Sequence, residues 1–386
     1  MTLLETRRAT EWRTARVRAR QLARPTGCES IPLADAAGRV LGAEVCSRTQ
    51  VPGFDTAAMD GYAVGGPGPW VVVGRVLAGA ASPGALAPGT AVEIATGAPV
   101  PSGTGAVVPY EESRVDGDLV DASPPRKTHV RRAGEDLRPG DVLATAGSDL
   151  SAPLLGLLAQ GGADTVSVRR RPSVRLVVTG DEVVQLGLPG PGQVRDALGP
   201  LVLALVERAG AARPELVAVP DDHDRLREAI AGSDADVVVV TGSSSVGRAD
   251  HLHAVLAELG ASLHVDGVAC RPGHPQVLAE RPNGRWVAGL PGNPFAGLVA
   301  ALTVLVPLLD GLLSRAPRPV FRLPVGGPVS APGSVTRLVP VRLGDGAAVP
   351  VADAGPARLR AAADADGVAV LEPDWTPDQP AEILRW

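Results

Sequence analysis

The stretch Asp236–Asp250, with the sequence DVVVVTGSSSVGRAD, constrains the fold more than any other part of the chain. Its four consecutive valines predict a strand that is buried on both faces, as in a parallel sheet. The valines run directly into Thr241, Gly242 and three serines, and an apolar pattern typical of a helix begins after Asp250. A strand, a small polar loop and a helix in this order present backbone N–H groups to an anion such as phosphate.

The same loop resembles a P-loop in its spacing but not in its chemistry. Gly242 and Gly247 are separated as in that motif, but the next two residues are Arg248 and Ala249. A P-loop needs a lysine for the phosphates and a hydroxyl for magnesium at those two positions. The sequence therefore argues against a nucleoside triphosphatase of this type.

Strands and helices alternate regularly from Val174 onwards. The pattern predicts strands at 174–178, 215–219 and 236–240 and helices at about 197–209, 224–231 and 250–259. This alternation predicts right-handed βαβ units and a parallel sheet, in which ligands bind at the carboxyl ends of the strands. Polar residues follow all three strands, at Thr179–Glu182, Asp221–Asp222 and Thr241–Ser245. Helix capping accounts for such residues at any one strand, but three clusters at one edge favour a binding site.

Other regions have different patterns. Residues 9–23 predict an amphipathic helix with Trp12, Ala15, Ala19 and Leu22 on its apolar stripe. Short β-prone segments at 70–73, 91–94 and 106–109 predict a small β module, and helices are predicted near 151–160 and 295–310. Alternating strands at 320–323, 336–341, 368–371 and 381–384 predict a β-barrel at the carboxyl end.

Composition limits the class of protein. With 386 residues, 45% of them apolar, and a net charge of −5, the chain is expected to be a soluble, multidomain globular protein that does not bind nucleic acid. Its three cysteines are far apart in sequence, which predicts a reducing compartment. No apolar run is expected to reach the roughly 18–20 residues of a bilayer span, so we predict a cytoplasmic protein without membrane contact.

Six collinear motifs resemble those of the molybdopterin molybdenumtransferase family, the MoeA type that also forms the E domain of gephyrin. The motifs are Pro52–Val64, Thr96–Pro101, Arg132–Asp136, Thr179–Glu182, Ser245–Asp250 and Gly289–Pro294. The resemblance implies a multidomain α/β plus β fold. Its parts are a two-segment helical and extended domain (1–48 and 128–170), an inserted β module (49–127), a molybdopterin-binding α/β domain with a mostly parallel sheet (171–316) and a C-terminal β-barrel (317–386).

The resemblance also implies an activity and its partners. The implied reaction inserts molybdate into the dithiolene of adenylylated molybdopterin, with Mg²⁺-dependent hydrolysis that releases AMP. The implied assembly is a homodimer whose active site is shared between subunits. Further implied partners are the enzyme that supplies molybdopterin adenylate and the apo-molybdoenzymes that receive the product.

Site residues carried over from the family fall into three groups. The implied catalytic residues are Asp60, Thr96, Asp136, Asp221 and Asp250. The implied magnesium ligands are Glu182, Asp221 and Asp250. The implied residues for the pterin, phosphate and molybdate are Thr179, Gly180, Asp196, Gly242, Ser243, Ser244, Ser245, Gly247, Arg271, His274, Pro291, Asn293, Pro294, Arg337 and Arg342.

Several of these positions depart from the family pattern. Where the family usually has Gly-Gly-Val-Ser, this chain has Gly242–Ser245 with Ser243 in place of a glycine and Ser244 in place of the valine. Where the family usually has Asp-Ser/Thr-Asn, it has Asp196, Ala197 and Leu198. The usual Lys-Pro-Gly-Lys-Pro is Arg271–Pro275 with histidine as its fourth residue. Because of these departures, a non-catalytic homologue that binds molybdopterin or molybdate, or that acts as a scaffold, is the alternative to an enzyme.

Overall fold

The N-terminal region contains a helix and several short, paired strands. The computed structural model describes residues 9–81, 84–123, 126–242, 251–330, 332–352 and 354–386. The first elements are α1 (Trp12–Leu22), β1 (Cys28–Pro32), β2 (Val45–Cys46) and β3 (Thr56–Ala57). Glu11 caps α1 by accepting the backbone N–H groups of Arg13 at 2.8 Å and Thr14 at 2.7 Å.

A six-stranded sheet forms the inserted β module. Its strands are β4 (Gly61–Val64), β5 (Trp70–Val76), β6 (Thr90–Ile94), β7 (Ala106–Pro109), β8 (Arg114–Asp116) and β9 (Leu119–Asp121). They lie in the order β7-β4-β6-β5-β9-β8. The three segments predicted from β propensity are all strands, and every residue of β7 is buried, whereas most of β5 is not.

The chain then returns to the first region and pairs with it. The returning elements are β10 (Val130–Arg131), β11 (Val142–Ala144), α2 (Ala152–Gln160) and β12 (Thr165–Arg169). Strand β10 pairs with β3, β11 with β2 and β12 with β1, all antiparallel. These pairings join two segments that are separated in sequence by the β module.

An α/β region with a central six-stranded sheet follows. Its elements are β13 (Val174–Thr179), β14 (Val183–Val184), β15 (Val194–Arg195), α3 (Leu198–Arg208), β16 (Glu215–Val219), α4 (His223–Ala231), β17 (Val237–Thr241), α5 (Leu252–Glu258), β18 (Ser262–Asp266), β19 (Cys270–Arg271), β20 (Val277–Glu280), β21 (Trp286–Leu290), α6 (Pro294–Ala300) and α7 (Val306–Leu312). The predicted strands and helices of this region are found within one or two residues of their expected ends.

The order of the central sheet is β16-β13-β17-β21-β20-β18. The first four strands are parallel, whereas β20 and β18 are antiparallel to their neighbours. Every residue of β17 is buried, as the run of valines predicts for a strand covered on both faces. This sheet confirms the predicted mostly parallel α/β fold.

The last region is a curled sheet. It consists of β22 (Arg322–Leu323), β23 (Thr336–Leu343), β24 (Ala348–Pro350), α8 (Leu359–Ala363), β25 (Gly367–Leu371) and β26 (Ala381–Leu384). The sheet order is β19-β23-β25-β26-β22, with β24 on β23, and a bridge between Val325 and Ala348 joins its two ends. Since β19 comes from the α/β region, the two regions share one sheet.

One long apolar helix runs through the core. Helix α6, a π-helical turn (Ala301–Leu305) and α7 form a continuous helix, Pro294–Leu312, of 19 residues with a mean hydropathy of 2.1. The expectation that no apolar run reaches the length of a bilayer span was therefore wrong. Because 83% of this helix is buried inside the protein, its apolar surface packs against the protein's own core.

Helix α1 holds this core helix in place. Trp12 is 1% exposed, and its Nε1 donates a hydrogen bond to Thr303 Oγ1 at 3.1 Å, inside the π-helical turn. The Arg16 guanidinium lies 5.0 Å from the Trp12 ring centroid and donates to the carbonyl of Leu302. The predicted apolar stripe of α1 is buried at Trp12, Ala15 and Ala19, while Leu22 is 38% exposed.

We expect Trp12→Ala to destabilise the fold strongly. Removal of a fully buried tryptophan leaves a cavity and typically costs about 3–5 kcal/mol in the free energy of unfolding. Urea denaturation followed by circular dichroism measures this loss. Val17→Ala on the exposed face of the same helix, where Val17 is 50% exposed, is the matched control and should change stability by less than about 0.5 kcal/mol. Equal stability of the two variants would show that α1 does not hold the core helix.

Candidate active site

The carboxyl ends of β13 and β17 meet where the connections of the sheet diverge. From β13 the chain crosses to β16 on one side, and from β16 it crosses back to β17 on the other. Such a switch point opens a crevice at the strand ends, which is where ligands bind in parallel α/β sheets. Thr179, at the end of β13, donates its hydroxyl to the carbonyl of Thr241, at the end of β17, at 2.8 Å. The two strand ends are thereby fastened together.

Gly242 follows β17 directly and lies against Thr179. Its φ is +93°, and a Cβ at this position would lie 2.8 Å from both the carbonyl oxygen and the Oγ1 of Thr179. Only glycine fits this conformation and this spacing. The predictions for Ser243, Ser244, Ser245, Gly247 and Asp250 lie outside the described residues.

An acidic cavity of about 710 Å³ opens at this switch point. Nine of the residues predicted from the sequence line it, namely Thr179, Gly180, Glu182, Asp196, Asp221, Gly242, Pro291, Asn293 and Pro294. Arg195 is the only basic residue among the described residues of its lining. The cavity therefore offers three carboxylates and a glycine-bounded strand end to a ligand.

The pKa of Asp221, which lines this cavity, is raised. Burial is the main cause of the raised pKa of Asp221, and the negative charges of Glu182 and Asp181 raise it further. A hydrogen bond from the backbone of Asp181 acts in the opposite direction and lowers it. The backbone N–H of Asp221 also donates to Asp181 Oδ1 at 3.2 Å. Crowded carboxylates of this kind are relieved by a cation. A divalent cation would thus lower the electrostatic cost of the cluster.

The carboxylates of this cavity fit magnesium only if a bound ligand supplies some of the oxygens that coordinate the metal. Among the described residues, no group of three or more His, Cys, Asp or Glu side chains is arranged to hold a metal ion. Magnesium is, however, usually bound by one or two carboxylates together with phosphate oxygens and water. Glu182 and Asp221, which line one cavity, can supply such a pair.

Asp196 caps a helix as well as lining the cavity. Its Oδ1 accepts the backbone N–H of Gly199 at 2.8 Å, in the first turn of α3. Its Oδ2 is buried and has no hydrogen-bond partner within the part of the chain that the structure describes. Leu198, where the family pattern has an amide, is 6% exposed and belongs to the core of the protein. Local capping therefore accounts for one oxygen of Asp196.

A second, basic cavity of about 460 Å³ adjoins the first. Arg271 on β19 and Arg337 on β23 are directly paired in the parallel register of these two strands, and both line the cavity together with His274. None of the described residues that line it is acidic. Arginine side chains without a neighbouring carboxylate in the lining have the charge and the N–H donors that suit an oxyanion. The pairing joins residues that are far apart in sequence.

Two of the basic side chains are oriented by backbone carbonyls. His274 Nδ1 lies 2.7 Å from the carbonyl oxygen of Val268, so this nitrogen carries the proton and donates it. Arg337 Nη1 donates to the carbonyl of Ser330 at 2.9 Å. Arg271 lies at an exposed position on the rim.

The start of the core helix separates the two cavities. Pro275, Pro291 and Asn293 line both of them, and the helix begins at Pro294, with Asn293 as its N-cap residue. The Asn293 side chain makes no capping hydrogen bond. The backbone N–H of Ala296 donates to the carbonyl of Pro356 at 3.0 Å, which brings the C-terminal region to the wall of the site. The positive end of a helix dipole therefore lies between an acidic and a basic pocket.

Four predicted residues lie elsewhere in the chain. Asp60 and Thr96 come together on the β module, where Asp60 Oδ1 accepts the backbone N–H of Thr96 at 2.7 Å. The backbone N–H of Asp136 donates to the carbonyl of Val51 at 2.8 Å. Arg342 donates through Nε to the carbonyl of Asp364 at 2.7 Å. None of these four residues lines either cavity.

Sequence reasoning missed other residues that line the cavities. Arg195 precedes the predicted Asp196, and its position in a Gly/Pro-rich segment gave no signal of its own. Residues 354–357 come from the C-terminal region and reach both cavities. Only the three-dimensional contact of the two regions identifies them.

The fold and the two cavities define a class of protein. A crevice at the switch point is where parallel α/β sheets bind ligands, and in this chain carboxylates lie on one side of it and arginines on the other. The family models for "MoeA N-terminal region (domain I and II)" and "Probable molybdopterin binding domain" match residues 9–162 and 175–311.

Relatives and solved structures agree with these matches. A molybdopterin molybdenumtransferase from Haemophilus influenzae is 35% identical over 303 residues, covering 76% of this chain and 74% of that protein. Molybdopterin molybdenumtransferase 1 from Mycobacterium tuberculosis is 34% identical over 337 residues, covering 78% of each. The crystal structure of a molybdopterin biosynthesis MoeA protein from Pyrococcus horikoshii superimposes with a TM-score of 0.76 at 28% identity, covering 98% of this chain and 99% of that chain.

The chain belongs to the molybdopterin molybdenumtransferase family. The predicted family, the predicted fold class and the prediction of an enzyme of molybdenum cofactor biosynthesis are confirmed.

We expect Gly242→Ala to strain the end of β17. A Cβ there would collide with Thr179, and alanine at positive φ is itself unfavourable, so the free energy of unfolding should fall by about 1–3 kcal/mol. Urea denaturation measures the change. Gly74→Ala is the control, because its Cβ would meet nothing within 4 Å and its φ needs no glycine. A Gly242→Ala protein as stable as Gly74→Ala would contradict the close approach of the two strand ends.

Proposed function

We propose that this protein inserts molybdate into the dithiolene of adenylylated molybdopterin and hydrolyses the adenylate, with Mg²⁺ and release of AMP. The observation that carries the proposal is the sharing of Pro275, Pro291 and Asn293 by the acidic and the basic cavity. The substrate contains a phosphoanhydride, and it reacts with a separate oxyanion, molybdate. The reaction therefore needs one pocket for each group, and the two pockets must adjoin.

The acidic cavity would hold the phosphate end of the substrate. The strand end at Thr179 and Gly242 is suited to phosphate oxygens, and Glu182 and Asp221 would hold Mg²⁺ against the phosphoanhydride. When bound, the metal would polarise the phosphoryl oxygens and stabilise the charge that develops on them. Asp221 must be deprotonated for this role, so its raised pKa makes metal binding weaker at acidic pH.

The basic cavity would hold molybdate. Arg271 and Arg337 lie on neighbouring strands and can donate hydrogen bonds to the same tetrahedral oxyanion. Because Asn293 borders both cavities, an anion held there lies beside the ligand of the acidic cavity. This arrangement would keep the two reactants close and oriented.

In a homodimer with a shared active site, Asp60 and Thr96 of one subunit would lie at the acidic cavity of the other. Large apolar side chains are exposed in two described segments that bear on this arrangement. Phe54, 51% exposed, and Met59, 39% exposed, shortly precede Asp60 in the chain. Leu186, 85% exposed, and Leu188, 96% exposed, follow Val183 of the cavity lining within a few residues. Exposed apolar surfaces of this kind favour a protein interface. We propose that the β module of a second copy covers the cavity.

Further proposals follow from the same reaction. The substrate would come from an enzyme that adenylylates molybdopterin, and the product would pass to apo-molybdoenzymes. We propose the cytoplasm as the location of these steps.

AMP release tests the proposed activity directly. The purified protein should release AMP from adenylylated molybdopterin when molybdate and Mg²⁺ are present, and the product should reconstitute an apo-molybdoenzyme. Failure to release AMP under these conditions would exclude the reaction.

We expect Asp221→Asn to reduce AMP release by about a hundredfold or more, because it removes a ligand that helps the metal stabilise developing charge. The same variant should melt at a higher temperature than the wild type at neutral pH in the absence of metal. The raised pKa of Asp221 means that its ionised form destabilises the fold. The difference should disappear below about pH 4, where the wild-type carboxyl is protonated.

Glu207→Gln, on the exposed side of α3, is the control for both readouts. A metal-free Asp221→Asn protein that melts below the wild type at neutral pH would contradict the crowding of the carboxylates.

Mixing two inactive variants tests the shared site. Asp60→Asn and Asp221→Asn should each be inactive as homodimers. After the subunits are exchanged, half of the dimers should be mixed, and each mixed dimer should contain one intact site, so about a quarter of the wild-type activity should return. Each variant exchanged with itself is the control. No recovery, with subunit exchange verified by mass spectrometry, would show that Asp60 and Asp221 of one chain serve the same site.

A further inference from the structure

The chain has only two tyrosines, and they contact each other on the β module. Their ring centroids are 5.3 Å apart, and the ring planes are at 87°. Tyr62 lies on β4 and is half-buried, whereas Tyr110 follows β7 and is 40% exposed. In an edge-to-face pair one ring supports the other at its edge or on one face only. Part of the Tyr110 ring therefore faces solvent.

Hydrogen bonds fix the orientation of this exposed ring. The Tyr110 hydroxyl donates to Glu93 Oε1 at 2.6 Å, and Glu93 Oε2 is paired with Arg75 Nε at 3.3 Å. Burial, together with the hydrogen bond to Glu93, raises the pKa of Tyr110 to about 12. The hydroxyl thus remains a donor at neutral pH. An exposed aromatic ring held in this way loses little conformational freedom when a ligand binds to it.

The ring is also close to the residues of the proposed shared site. The backbone N–H of Tyr110 points at the carbonyl of Asp60, with an N to O distance of 3.4 Å. The side chain of Asp60 in turn holds Thr96. Hydrogen bonds therefore connect Tyr110 and Thr96 to Asp60 on the β module.

We propose that Tyr110 stacks on the flat nitrogen heterocycle of the substrate, either the adenine of the adenylate or the pterin. The inference rests on the proposed function, since it is the β module of a second copy that would bring Tyr110 to the acidic cavity. Stacking on an aromatic side chain suits both rings, because each has a π face. Phosphate and carboxylate contacts in the cavity would orient the charged end of the substrate, and Tyr110 would position its ring.

Binding of two probes to the full-length protein with Mg²⁺ tests this role. The probes are AMP and pterin-6-carboxylic acid, and ribose 5-phosphate serves as the ligand without a heterocycle. Loss of the stacking ring in Tyr110→Leu should weaken the binding of one heterocyclic probe by about tenfold and leave ribose 5-phosphate unchanged. The probe that is affected identifies the ring that Tyr110 contacts. Isothermal titration calorimetry measures the three dissociation constants.

Two further variants make the result specific. Tyr110→Phe keeps the ring and loses the hydrogen bond to Glu93, so its affinities should stay within about threefold of the wild type. Val115→Ala is the surface control on the same module, where Val115 is 54% exposed. The proposal is overturned if the wild type binds neither heterocyclic probe, if Tyr110→Leu binds both probes as the wild type does, or if Tyr110→Leu instead weakens dimer formation in sedimentation velocity. AMP release by the wild type is measured separately. If the wild type releases AMP but Tyr110→Leu binds both probes normally, the role of Tyr110 is rejected while the proposed function stands.

Discussion

The contact between the ends of β13 and β17 is the constraint on which the site depends. Thr179 donates to the carbonyl of Thr241, and Gly242 packs against Thr179 at a distance that excludes a side chain. This closure brings the two strand ends together at the switch point of the sheet. The residues that follow these two strands, among them Gly180, Glu182 and Asp196, form much of the lining of the acidic cavity, so the closure positions this part of the site.

Charge is divided between two pockets that share a wall. Glu182, Asp196 and Asp221 lie in one pocket, and Arg271 and Arg337 lie in the other. Placed together, these charges would neutralise one another as ion pairs, as Arg170 and Asp236 do at the opposite end of the sheet. Kept apart by Pro291 and Asn293, they remain available for a cation and an oxyanion. The start of the core helix thus separates the charges and also offers its own positive dipole to the ligand.

Much of the fold follows from periodicity in the sequence. The strands and helices between Val174 and Glu258 could be predicted because short apolar runs mark the strands and apolar residues at helical spacing mark the helices. The pairing of Arg271 with Arg337 could not, since register between distant strands depends on the whole curled sheet. Asp196 was predicted as a ligand-binding residue, but the sequence could not show that one of its oxygens caps α3. The burial of the core helix inside the protein could not be predicted either, because a core helix and a helix that spans a bilayer have the same apolar composition.

A crystal structure of the protein with AMP, Mg²⁺ and molybdate tests the central claim, that two adjoining pockets of opposite charge serve one reaction. We expect the nucleotide phosphate against Thr179 and Gly242, Mg²⁺ on Glu182 or Asp221, and molybdate between Arg271 and Arg337. We also expect Asp60 and Thr96 of the partner subunit over the acidic cavity. Molybdate bound away from both arginines, or AMP bound outside the acidic cavity, would contradict this claim.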